Sequence, residues 1–186
     1  MQLKLLFILG LLAAGSSQAQ QAPALDPNGI IVRSVQHLAL NPVLLRAVRN
    51  QNTEDLTPQL IAERDREWQA QDQLAGLKWM LQENTAGRFL RRVVETSGLF
   101  SEAFLTDRRG ANVAAFPPTS DYYQGDEDKW RLAFEQGRIQ VADIGLDAST
   151  GTEAIQVSAP LIHRGETIGV LIVAIDTKSL TAGEAR

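Results

Sequence analysis

Between residues 29 and 98 the apolar side chains recur at steps of three and four; after Gly98 they alternate. A helical half is therefore expected to precede a stranded half. Ile31, Val35 and Leu38 mark a first helix. Asn41-Pro42 then supplies a cap and a first-turn proline for a helix bearing Val43, Leu44, Ala47 and Val48. Thr57-Pro58 repeats that start signal ahead of Leu60, Ile61 and Trp68. Leu74, Leu77 and Leu81 continue an apolar stripe, and Asn84 or Thr85 caps a helix whose Phe89, Leu90, Val93 and Val94 face inward until Gly98 stops it. The pattern predicts a long N-terminal helical segment, including one long helix broken by prolines.

Ala103-Phe104-Leu105-Thr106 and Asn112-Val113-Ala114-Ala115-Phe116 read as strands joined by a polar turn over 107–110 that ends in Gly110. Pro117-Pro118 closes this hairpin. A loop over 119–126 leads into a short helix over 127–136, where Trp130 and Phe134 stand four apart on one face. Three further strands are expected at 139–146, 153–162 and 167–175, the last two joined by the turn His163-Arg164-Gly165-Glu166. This order describes an α+β domain: a five-stranded antiparallel sheet with helices on one side and a short helix between the second and third strands.

The first 28 residues follow different rules. Lys4 is the only charged side chain before Asp26, and the apolar run that follows it is about half the roughly 20 residues a spanning helix needs. Ser17-Gln18-Ala19 places small residues at a peptidase site, so residues 1–19 read as a cleavable export signal, and 20–28 as a disordered, Gln-, Ala- and Pro-rich lead-in. An uncleaved interfacial helix is the rival reading. Cleavage after Ala19 leaves 167 of the 186 residues, with residues 29–180 as one domain (29–98 helical, 99–180 sheet) and 181–186 as a tail. The expected location is periplasmic or secreted, and soluble after cleavage.

Charge and composition narrow the chemistry. The chain holds 18 basic and 22 acidic residues, net −4, which disfavours nucleic acid as a partner. It has no cysteine, which excludes disulfides, thiolate metal sites and cysteine nucleophiles. Neither His37 nor His163 lies in a metal or nucleophile motif, and no glycine-rich phosphate loop opens a helix after a strand. No catalytic residue, metal site or cofactor is expected. Asp121, Asp126, Glu127 and Asp128 form the densest acidic cluster; they fit the start of a helix, where acids complement the dipole, better than a calcium loop. The loop Asp121-Tyr122-Tyr123-Gln124-Gly125, with Trp130 shortly after, sets aromatic faces beside a carboxylate, an arrangement suited to a cationic or amphipathic small molecule. Alternatively, one tyrosine packs under the loop while the other covers the core edge.

Two stretches carry a family resemblance. The run from Glu102-Ala103-Phe104-Leu105-Thr106-Asp107-Arg108-Arg109-Gly110 through Thr119-Ser120-Asp121-Tyr122-Tyr123-Gln124-Gly125 resembles the extracytoplasmic PAS-like sensor domains called Cache or PDC domains. Ser158-Ala159-Pro160-Leu161, followed by Glu166-Thr167-Ile168-Gly169 and the apolar run to Asp176, is similar to that family's closing hairpin. The resemblance covers about residues 28–180. It implies a five-stranded sheet whose pocket, on one face, is closed by the loop and short helix between the second and third strands. The implied ligand is a small metabolite of the amino acid, amine or carboxylate class. The contributors implied by position are Tyr122 and Tyr123 from the loop, Lys129 and Trp130 from the helix, and Asp143, Gln156 and Ser158 from the sheet. Lys129 stands where many relatives have arginine, and a point charge replaces the planar fork that binds carboxylates with two bonds.

Relatives of this kind are commonly the outer part of a membrane receptor. Here an export signal precedes the domain and only 181–186 follow it, so the expected function is that of a periplasmic sensor reporting its ligand state by contact to a membrane-bound signalling partner. The alternative is a ligand-free interaction module of the cell envelope, with homodimers formed through the N-terminal helices. A hydrolytic or metal-dependent enzyme is the least favoured reading.

Overall fold

The structure is a computed structural model that describes residues 29–72, 75–147 and 149–183. The signal and lead-in expected over 1–28, and Leu74 of the apolar stripe, lie outside the described residues. Five helices come first: α1 (Ile30–Ala39), α2 (Pro42–Asn52), α3 (Pro58–Ala70), α4 (Gly76–Glu83) and α5 (Thr85–Ser97). The expected long helix is thus a series of short ones, none above 13 residues. The break between α1 and α2 has a local cause. Asn41 takes an extended backbone, its Oδ1 accepts the Val43 N–H at 2.9 Å, and Pro42 has no N–H with which to continue a preceding helix. Thr57 caps α3 in the same way, with its hydroxyl oxygen accepting from Leu60 N at 3.2 Å. Asn84, not Thr85, caps α5, and Gly98 ends that helix in the left-handed conformation.

The strands are β1 (Phe100–Asp107), β2 (Asn112–Phe116), β3 (Gln140–Val141), β4 (Gly145–Leu146), β5 (Glu153–His163) and β6 (Glu166–Asp176), with α6 (Asp128–Gln136) after β2 and α7 (Thr177–Gly183) at the end. All pairings are antiparallel, in the order β2-β1-β6-β5-β3, with β4 also on β5. The third expected strand is divided in two. Val141 pairs with Val157 and Gly145 with Ala154, so the outer strand uses one residue more than β5 over the same distance. That extra residue is an edge bulge, which bends the strand and re-aims the side chains at 142–144. Between β5 and β6, Arg164 and Gly165 both have positive φ, as the tightest hairpin turns require.

β6 is the central strand and reads Val170-Leu171-Ile172-Val173-Ala174-Ile175 without alternation, all fully buried, because both of its faces are covered. On one face Leu171, Val173 and Ile175 join Ala103, Leu105, Val157 and Leu161 beneath Val35 and Ala39 of α1, Leu44 and Val48 of α2, and Ala86 and Leu90 of α5. On the other, Phe104, Val170 and Ile172 meet Trp130 and Ala133 of α6. Helices therefore lie on both sides of the sheet, not on one as the element order alone implied. A third cluster joins Ile61 and Trp68 of α3, Leu81 of α4 and Tyr122 of the loop after β2. Among the described residues, no helix is long and apolar enough to cross a membrane.

Candidate functional site

Strand register fixes the floor of the site. Glu102 on β1 and Gln156 on β5 are both partners of Ala174 on β6, so the three share one row of the face that carries α6. The next row, Phe104, Ile172 and Ser158, lies on the part of that face capped by Trp130. A cavity of about 210 Å³ opens on this face, with Glu102 of β1 and Ala154 and Gln156 of β5 in its lining. Its walls are Lys129 and Glu127 at the start of α6, Gln124 and Thr119 of the loop, Asp143 at the bulge, and Asp147 and Ser149 after β4. The volume is below the ~300–1,000 Å³ of pockets for drug-sized ligands, which fits a metabolite of a few heavy atoms.

The loop that roofs the cavity is held from several sides. Asp65 Oδ1 on α3 accepts from the backbone N–H groups of Tyr122 at 2.8 Å and Tyr123 at 3.0 Å. Trp68 Nε1 donates to Thr119 O at 2.8 Å, and Asn112 Nδ2 donates to Thr119 Oγ1 at 2.7 Å and to Asp121 O at 3.1 Å. At Gly110, in the β1–β2 turn, a Cβ would lie 2.4 Å from Gly125 Cα, so only glycine lets turn and loop approach this closely.

Of the seven residues expected at the site, the structure brings three to this cavity: Lys129, Asp143 and Gln156. Tyr122 lies elsewhere, 1% exposed beneath the loop, its ring 5.9 Å from that of Trp68 and its hydroxyl accepting from Arg64 at 3.3 Å. Tyr123 borders a shallower groove of about 560 Å³ with Leu56, Pro58, Ile61 and Asp65. Trp130 stacks on Phe134 at 4.6 Å, and Ser158 is buried in the row alongside. The groove at Tyr123 is the larger space, yet the cavity on the sheet is where polar side chains from distant segments converge.

The residues that sequence reasoning passed over dominate the electrostatics. Glu102 is 1% exposed, and its carboxyl is pushed up to about 8, first by burial and then by the neighbouring Asp147 charge; the Ser149 hydroxyl and Lys129 pull the other way. The Ser149 hydroxyl lies 2.6 Å from Glu102 Oε1 and 2.6 Å from Asp147 Oδ1. Lys129, the one cation of the lining among the described residues, is already paired with Glu127 at 2.9 Å and sits over the Phe104 ring at 5.3 Å. Burial also raises the Asp121 carboxyl in the roof. One signal for Glu102 was present in the sequence. It alternates in step with Phe104 and Thr106, so it had to point where they point, into the interior.

No protein-family model matches the chain, and no curated protein sequence matches it. Solved structures align with it at low identity. The ligand-binding domain of the Pseudomonas aeruginosa PAO1 amino acid chemoreceptor PctC, in complex with GABA, aligns with a TM-score of 0.44 and 18% identity over 82% of this chain and 65% of that one. The sensor domain of the V. cholerae histidine kinase DctB aligns at 0.41 and 18%, over 83% and 60%. The ligand-binding domain of the Campylobacter jejuni chemoreceptor Tlp3, in complex with L-valine, aligns at 0.45 and 16%, over 82% and 62%. This chain thus spans roughly three fifths of the length of these structures. These structures are described as ligand-binding or sensor domains of two chemoreceptors and a histidine kinase.

Proposed function

We propose that this chain is a small-molecule sensor domain working outside the cytoplasm, which binds a metabolite in the cavity between Glu102 and Gln156 and reports its occupancy to a membrane-bound signalling partner. The observation that carries the reading is convergence: β1, β5, the edge bulge, the segment after β4 and the start of α6 each send a polar side chain into one cavity. The neighbouring row carries only one polar side chain, Ser158, beside Phe104 and Ile172. The export pattern of residues 1–19 supports the location. In this reading Lys129, Asp143 and Gln156 contact the ligand directly, and Tyr122, Trp130 and Ser158 hold the walls that shape the space.

A thermal-shift screen against amines, amino acids and small carboxylates tests the reading. At least one compound is expected to raise the melting temperature of the wild type, and Gln156→Leu is expected to abolish that shift. A screen in which nothing shifts the wild type, or in which Q156L shifts equally, refutes it. A specific observation also favours docking by the helical half: Trp79 and Met80 of α4 are 45% and 62% exposed side by side. Sedimentation of wild type and a Trp79→Glu, Met80→Glu double variant measures whether that pair mediates self-association.

A further inference from the structure

A hydroxyl owns one hydrogen. Ser149 Oγ touches Glu102 Oε1 and Asp147 Oδ1 at 2.6 Å each, so it can donate to only one of them. The other contact closes only if the carboxyl itself carries a hydrogen and donates it to Ser149. Two buried acids linked in this way hold one proton between them. Glu102, the more buried, is where burial and the Asp147 charge favour it.

A second observation points outward from this pair. Gln124 is 1% exposed and lines the same cavity. Its amide nitrogen is pinned by Asp121, donating to the main-chain oxygen at 3.1 Å and to Oδ1 as well, so the assignment of its oxygen is fixed. That Oε1 accepts no hydrogen bond among the described residues, and neither does Oδ2 of Asp147, which is 7% exposed. Both are acceptors on the cavity wall. Glu102 is faced by Asp147 from the segment after β4, by Glu127 and Lys129 from the start of α6, and by Asp143 from the bulge. Asp121 carries a further acid in the roof, β5 presents neutral Gln156 and Ala154, and on β6 the acid Asp176 lies one row beyond Ala174, opposite Ala154. Lys129 is spent on Glu127. Among the described residues the wall carries four acids, Glu102, Glu127, Asp143 and Asp147, against the single cation Lys129, and its two buried acceptors are without partners. Unpartnered acceptors and an excess of acids suit an organic cation with N–H donors, and among the described residues no three acids or histidines are grouped to hold a metal ion.

We infer that the cavity receives a small organic ammonium, and that the ammonium displaces the proton shared by Glu102 and Asp147 through Ser149. One positive charge enters and one leaves. The Glu102 O–H bond breaks, its proton passes to the buffer, and the ammonium N–H groups take over the carboxylates, Asp147 Oδ2 and Gln124 Oε1. Occupancy is then coupled to external pH, since protons and ligand compete for one place. This rests on the cavity being the ligand site, and it adds the charge of the ligand and the exchange that accompanies its binding.

The test is titration calorimetry of the mature chain with propylammonium and 1,4-diaminobutane as cationic probes and propionate and succinate as anionic ones, in two buffers of different ionisation enthalpy. A cationic probe is expected to bind with release of close to one proton at pH 7. Its affinity should rise about tenfold from pH 6 to pH 7 and level off above pH 8 to 9. Glu102→Gln is expected to remove both the release and the pH slope. Carbon NMR of the Glu102 carboxyl in unliganded wild type, which needs no variant to fold, is expected to show the protonated form at pH 6. Cation binding without proton release, an ionised Glu102 at pH 6, or binding of the anionic probes alone would overturn the inference. Anion binding alone would still leave the sensor reading standing, whereas a chain that bound nothing in the wider screen would end both.

Discussion

Replacing Glu102 by glutamine isolates the cost of one buried charge. The side chain is 1% exposed and its carboxyl is raised from 4.5 to about 8, so the folded protein holds a proton that the unfolded chain gives up. The sign follows directly. Stability from this group is complete below pH 4.5, falls as pH rises because the unfolded state binds fewer protons, and is exhausted once pH passes 8. At about 1.4 kcal/mol per unit of difference, wild type loses roughly 2–3 kcal/mol between pH 5 and pH 7 and about 4 kcal/mol by pH 9 from Glu102 alone. Glutamine keeps the shape and a hydrogen-bonding partner for Ser149 but cannot ionise. Urea unfolding of both proteins at pH 5, 7 and 9 gives the comparison, and groups common to both cancel in the difference. The variant is expected to overtake wild type as pH rises, with the gap widening by several kcal/mol. Two stability curves that stay parallel from pH 5 to pH 9 would refute the assignment of a buried, protonated Glu102.

Two further perturbations test the scaffold. Asp65→Ala removes the single oxygen that accepts from both Tyr122 N and Tyr123 N, leaving partly buried donors without a partner; it is expected to cost about 1–3 kcal/mol and to speed hydrogen exchange at those two amides selectively. Gly169→Ala places a Cβ 2.2 Å from the Thr106 carbonyl oxygen across the β1–β6 pair. The strands must part there, and a loss of about 1–3 kcal/mol in denaturant unfolding is expected.

What could be read from the sequence was what neighbours along the chain decide. Asn41-Pro42, Thr57-Pro58 and Gly98 each act within one helical turn, and each stands where the pattern placed it. The hairpin over 163–166 is equally local. The divided third strand was less accessible, because a bulge shows only against the partner strand it is out of step with. The site depended on contacts at long range. Glu102 and Asp147 meet only because β6 inserts between β1 and β5 while the preceding β4 pairs along the outer edge of β5. Two adjacent tyrosines could equally have turned toward the cavity or away from it. Asp65, fifty-seven residues before Tyr122, fixes the backbone at that point, and Trp68 on the same helix receives the Tyr122 ring.

The place of β6 in the sheet also governs the order in which the molecule can be assembled. β1 emerges first but has its long-range partner in residues 169–175, so the hairpin of β1 and β2 must wait, with one edge open, until nearly the whole domain has been made. Pairings of such sequence separation form slowly, and an unpaired apolar edge invites wrong partners meanwhile. Vectorial synthesis therefore gives this fold no stable halfway point at the sheet. A chain halted before residue 166 would be a client for holding chaperones, and ribosome-release experiments with successively longer chains would find protease resistance appearing abruptly once β6 is free to enter the middle.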